Sequence, residues 1–93
     1  MPTLDISEHT AGAASVLTEP CTAEQQLAIG STSVVSSPFA EHTRLVRVHC
    51  EAPCRIAIGK MPTAGPMNKR LAANQTEVFG VLPGHRLAVI GTV

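Results

Sequence analysis

The chain is predicted to be all-β, a small antiparallel β-sandwich or jelly-roll-like barrel with an extended N-terminal arm. Three observations predict this. The clear periodicities, as in "RLVRVHCE" and "CRIAIG", have period two, and no helical period of 3.6 is sustained. Short runs rich in Val, Ile, Thr and Phe are punctuated by turn residues, the texture of a sandwich or barrel. The chain has 93 residues, one small domain with a thin core, since a domain of this size buries roughly 60–65% of its unfolded surface.

Residues 1–22, "MPTLDISEHTAGAASVLTEPCT", are small and polar. A helical turn near Ala11–Leu17 is weakened by Gly12 and by the Ser and Thr around it. The segment is therefore expected to be an arm, with residues 23–93 as the β-domain. Leu4, Ile6, Val16 and Leu17 are its anchors, enough to order it on a neighbouring subunit's groove. Without such a groove it is a frayed terminus.

From Gln26 the texture changes. "QLAIGSTSVVSSPF" mixes β-branched residues with Ser and Thr and is broken at Gly30. In "TRLVRVHCE", Val46, Val48 and Cys50 share one strand face and Leu45, Arg47 and His49 the other. In "CRIAIG", Ile56 and Ile58 share a face. "TEVFGVL" and "HRLAVIGTV" are further strands, and Pro83-Gly84 between them suits a turn with Pro first and Gly at positive φ. These alternations nominate Val46, Val48, Ile56, Ile58, Phe79, Val81, Leu87 and Val89 as core. Residues 60–75, "KMPTAGPMNKRLAANQ", hold two prolines and a glycine and are expected to be a loop crossing between parts of the sheet. It is either solvated or a contact loop, with Lys60, Lys69 and Arg70 facing an acidic neighbour.

"HCEAPC", residues 49–54, asks for a metal, redox or structural reading. Zinc sites bring paired Cys-x2-Cys spacings, whereas Cys50 and Cys54 have a gap of three and Cys21 is distant. His49 and Cys50 are adjacent, so a strand points them to opposite faces. No metal site and no cofactor are expected. A redox pair would want a helix N-terminus to acidify a thiol, and Pro53 with strand-like flanks opposes that. The remaining reading is an antiparallel hairpin in which Glu51-Ala52-Pro53 is the connection. Cys50 and Cys54 then oppose each other, either as packed thiols in a reducing cytosol or as a disulfide formed after release from the cell.

Charge and composition exclude several classes. Seven acids balance seven bases, and aromatics are 2% of the chain, so neither a basic track nor stacking platforms exist for nucleic acid. No apolar run reaches the ~18 residues of a membrane helix. The opening residues lack a basic leader and a continuous apolar segment, so no signal peptide is expected and the cytosol is the default. His9, His42, His49 and His85 are the available imidazoles, and no nucleophile elbow, phosphate loop or His-Glu-x-x-His motif accompanies them. No catalytic residue is nominated, and the chain is expected not to be an enzyme.

The run "RLVRVHCEAPCRIAIGKMPTA…RLAANQTEVFGVLPGHRLAVI" resembles small β-rich virion proteins of tailed bacteriophages. Cys54–Gly59, Pro62-Thr63-Ala64, Leu71-Ala72-Ala73, Glu77-Val78-Phe79 and Pro83-Gly84 through Ile90 carry the resemblance, over roughly residues 43–91. It departs at Gly65-Pro66-Met67, where Thr and Ser are more usual. The resemblance implies a structural protein, made in the host cytoplasm and residing in the virion, that decorates or cements the capsid exterior. Its partners would be the major capsid protein and its own copies, as a dimer or trimer. A fibre or neck component is the alternative within that class. A carbohydrate- or receptor-binding β-module is another, and a cupin-type barrel using His49, Glu51 and His85 a third.

Overall fold

The computed structural model describes residues 2–10, 12, 13, 16, 17 and 23–92. Among them there is no helix, and the strands follow as β1 (Thr3–His9), β2 (Gly12–Ala13), β3 (Val16–Leu17), β4 (Ala23–Ala28), β5 (Val34–Val35), β6 (Leu45–Cys50), β7 (Cys54–Gly59), β8 (Lys69–Leu71), β9 (Thr76–Gly80) and β10 (Arg86–Gly91). Two antiparallel four-stranded sheets form a sandwich. The first runs β4-β1-β6-β9 and the second β5-β10-β7-β8, while β2 and β3 pair only with each other. Apart from β1 to β4 and β7 to β8, every step between sandwich strands passes from one sheet to the other. That crossing wraps both sheets around one core.

Alternation decides which side chains meet there. Leu4 and Ile6 of β1, Leu27 of β4, and Val46, Val48 and Cys50 of β6 face Cys54 and Ile56 of β7, Leu71 of β8, and Leu87 and Val89 of β10; Ile29, Phe39 and Val81 belong to the same cluster. Six of the nominated core residues are buried, whereas Ile58 and Phe79 are only partly so. These two line a rim groove with Arg44 and His85, where the sandwich opens at the end of β7 and along the edge strand β9. The Pro83-Gly84 turn forms as its residues predict. Gly84 has φ 80°, a conformation that costs glycine little, and its amide donates to the Phe39 carbonyl at 3.1 Å.

Two expectations are corrected. The expected arm contains an inner strand: β1 lies between β4 and β6 and is paired along its length on both sides. Leu4 is 0% and Ile6 1% exposed, so both are spent on this chain's own core and neither can anchor on a neighbour. Leu-Asp-Ile-Ser-Glu alternates strictly, and two large side chains suffice when strands flank them on either side. The boundary at residue 22 therefore divides a single sandwich. Val16 and Leu17 form the short β2–β3 ladder, with side chains outside what is described, as is Cys21.

The second correction concerns the hairpin. β6 pairs with β1 and β9, and β7 with β10 and β8, so Glu51-Ala52-Pro53 is a corner between sheets. Its backbone explains why. The Glu51 amide donates to the Thr3 carbonyl of the first sheet at 3.1 Å, while the Pro53 carbonyl accepts from Thr92, just past β10, at 3.2 Å. Each flank of the corner is thus claimed by a different sheet.

Candidate functional site

The cysteines come together by a different route from the one expected. Cys50 ends β6 and Cys54 begins β7, each on an inward position, and both are free thiols at 0% exposure. The Cys50 thiol donates to the Ala72 carbonyl at 2.9 Å. Burial first, then the charge and hydrogen bond of the neighbouring Cys50, push Cys54 up to about 12, with Arg70 pulling partly back. A thiol held so high is a weak nucleophile and a poor metal ligand. The pair packs as two small hydrophobes where the sheets meet. Among the described residues no group of three or more His, Cys, Asp and Glu gathers as metal ligands would.

The loop after β7 is the most unusual feature of the surface. Lys60–Asn68 connects β7 to its neighbour β8 by a long detour across the outer face of the second sheet. The Ala64 amide donates to Ser33 Oγ at 3.0 Å, and Ser33 precedes β5, at the far edge of that sheet. The return is fixed by Arg55 Nη1 donating to the Asn68 carbonyl at 2.9 Å and by the Gly65 amide donating to Asn68 Oδ1 at 2.7 Å. Register turns Ala88 outward, between Val35 and Ala57, yet it is 0% exposed and Ala64 is buried too. The loop is therefore a pinned strap. An open groove lies on each side of it: one of about 440 Å³ bordered by Arg55, Pro66 and Ile90, the other of about 550 Å³ bordered by Val35, Lys60 and Arg86. Met61 and Met67 stand on the strap at 91% and 94% exposure.

Charge is divided between the sheets. Arg55, Lys60, Lys69, Arg70 and Arg86 all belong to the second sheet or the strap, which carry no carboxylate. Every described carboxylate lies on the first sheet or in a connection into or out of it: Asp5, Glu8, Glu24, Glu41, Glu51 and Glu77. A chain of zero formal charge is thus two-faced, which its composition hides. Lys60, Lys69 and Arg70, nominated from sequence, are all exposed, but Lys69 and Arg70 sit on β8 and not in the loop. Lys69 Nζ lies 5.1 Å from the centre of the Phe79 ring. Arg70 stands directly opposite Arg55 across the β7–β8 ladder.

A polar site inside the sandwich was missed from sequence. Glu8 points inward on β1 and is 2% exposed. Its Oε1 accepts from the Ala40 amide at 2.8 Å and Thr43 Oγ1 at 2.7 Å, and its Oε2 accepts from Gln25 Nε2 at 3.1 Å. Residues 36–44, which carry the chain back from the second sheet to the first, are thereby fastened to β1. The signal was available: Glu8 continues the inward phase of Leu4 and Ile6.

On the outer face of the first sheet, Asp5 stands opposite His49, and His49 Nδ1 lies 2.7 Å from Thr76 Oγ1. A carboxylate, an imidazole and a hydroxyl in one row invite comparison with a catalytic triad. The β1 and β6 amides there are spent in ladders on both sides, so neither of these two strands offers an amide to a developing oxyanion. The cupin-type trio is not assembled either. Glu51 sits at the corner beside His49, while His85 precedes the opposite end of β10, whose Gly91 pairs with Cys54. The intervening strand length is about 20 Å, which separates Cys54 from His85 as well. Compared with protein families, with curated proteins and with solved structures, the chain matches none.

Proposed function

We propose that the protein is a non-enzymatic structural component of a tailed-phage virion, fixed to the capsid exterior and strengthening it through subunit contacts. The observation that carries the contact role is the strap: two methionines almost wholly in water, on a loop pinned at its middle and at its return. Exposed apolar area costs about 25 cal/mol per Å² relative to burial, and methionine adapts to irregular partner surfaces. A pinned loop also loses less entropy on docking than a free one. The virion assignment itself rests on the sequence resemblance, and with it the major capsid protein as partner and a dimer or trimer of the chain as the unit.

The carbohydrate-binding alternative wants an open aromatic face. The two phenylalanines of the sequence are Phe39, buried, and Phe79, half-buried beneath Lys69. A decoration protein works by many copies, so modest contacts suffice through avidity. The test is to prepare particles with and without the protein, heat both, and follow genome release. Earlier release from the deficient particles is expected. Unchanged release, or labelling confined to the tail, rejects the cementing role and favours the fibre or neck alternative.

A further inference from the structure

We infer that the strapped face of the second sheet docks on an acidic protein surface, with Met61 and Met67 seated in it and the cations on either side of the strap meeting its carboxylates; this deepens the contact reading above by naming the partner's chemistry. Three observations carry it. Arg55 and Arg70 face each other across adjacent strands, and like charges directly opposite destabilise a sheet. On the other side of the strap, Lys60 and Arg86 border one groove together. None of these four forms an ion pair with a carboxylate among the described residues, where Arg55 is held only by the Asn68 carbonyl. Unpaired like charges held at this density are stabilised by an external anion.

The methionines decide which kind of anion. Arg and Met are both enriched in protein interfaces, whereas a nucleic-acid strand wants a continuous cationic track with aromatic platforms. Here the cations are split into two groups by an apolar ridge. A second copy of the chain is a poor complement. Face to face it sets cation against cation, and its other outer face mixes Asp5 and Glu24 with Arg47 and His49.

The experiment measures binding of the full chain to an immobilised glutamate–leucine peptide, to a DNA duplex and to anionic lipid vesicles, and separately to virion shells stripped of the protein. Peptide binding is expected at low salt and should weaken by about tenfold or more as the Debye length falls from about 10 Å at 0.1 M to about 3 Å at 1 M. Lys60→Gln with Arg86→Gln should weaken it by about tenfold, Met61→Gln with Met67→Gln should weaken it as well, and Arg47→Gln on the opposite face should not. All these side chains are solvent-exposed, and matching thermal melts will show that the variants fold. No binding to the peptide, tighter binding to duplex or vesicles, or indifference to Lys60→Gln with Arg86→Gln overturns the inference. Shell binding that ignores salt and that variant overturns it while leaving the contact role intact. Peptide recognition without shell binding keeps the acidic partner and removes the capsid.

Discussion

Cys50 and Cys54 are four residues apart in the chain and belong to different sheets, yet both thiols are buried at 0% exposure inside one core. The corner between them changes sheets, so two neighbouring inward positions become facing ones. The consequence is a pH dependence. Cys54 is raised from its ordinary 9.0 to about 12, so above pH 9 the unfolded chain releases this proton while the folded chain keeps it. Stability from this group is complete below pH 9 and is lost as pH rises from there through about 12. Urea midpoints should fall across that window, and fall less in Cys54→Ala. Parallel declines in the two proteins would show that Cys54 is not responsible. Cys50 and Cys54, both buried, should also resist alkylation in the native protein at pH 8 and react fully in denaturant.

Glu51 gives an opposite dependence at low pH. Its Oε1 accepts from Thr3 Oγ1 and from the Thr3 amide, both at 2.7 Å. The hydroxyl bond, then the amide bond, hold its carboxyl below the ordinary 4.5. The stability it contributes is present above 4.5 and is lost as pH falls through the lowered value. Glu51→Gln should flatten this part of the acid limb. A limb of unchanged steepness would place the acid sensitivity elsewhere.

The inner position of β1 predicts that the N-terminus is indispensable. Leu4→Ala should cost about 2–5 kcal/mol, the range for truncating a buried leucine, a large fraction of an ordinary domain's margin. Removal of residues 1–9 should unfold the chain. A truncated protein that remains soluble with a cooperative melt would show that β1 is dispensable.

How much of this was legible in the sequence depends on what fixed each element. Val46, Val48, Ile56, Leu87 and Val89 were readable because strands of six residues repeat their alternation often enough to be seen. The Gly84 turn was readable because its chemistry is local. Leu4 and Ile6 were missed because two large apolar residues look sparse until strands flank them on both sides. The corner at 51–53 was read as a hairpin because a three-residue connection fits either, and the Thr3 and Thr92 bonds that decide it come from opposite ends of the chain. The cationic face was invisible for a related reason. Arg55, Arg70 and Arg86 are scattered in sequence and are brought onto one sheet only by its strand order. Lys60, Lys69 and Arg70 were found, as positive character in one segment, without the sheet that gathers the others to them.

The last prediction concerns Glu8, whose buried carboxylate fastens residues 36–44 to β1. Three donors converge on it, from Ala40, Thr43 and Gln25. Glu8→Ala leaves the Thr43 hydroxyl and the Ala40 amide without that acceptor in a site where Thr43 is 0% exposed. An unsatisfied buried donor costs about 1–3 kcal/mol, so the substitution should be among the more damaging polar changes in the chain. The effect should also be local before it is global. Protection of the Ala40 amide against hydrogen exchange depends directly on Glu8 Oε1, whereas the Phe39 amide donates to the His85 carbonyl at 2.8 Å and has its own acceptor. Glu8→Gln keeps one acceptor oxygen and should retain part of the Ala40 protection. The measurement is residue-resolved exchange on the wild type and both variants below their melting range. Equal loss of protection at Ala40 and at the amides of the β6–β9 ladder would mean that Glu8 supports the whole sandwich and does not act as a local fastening.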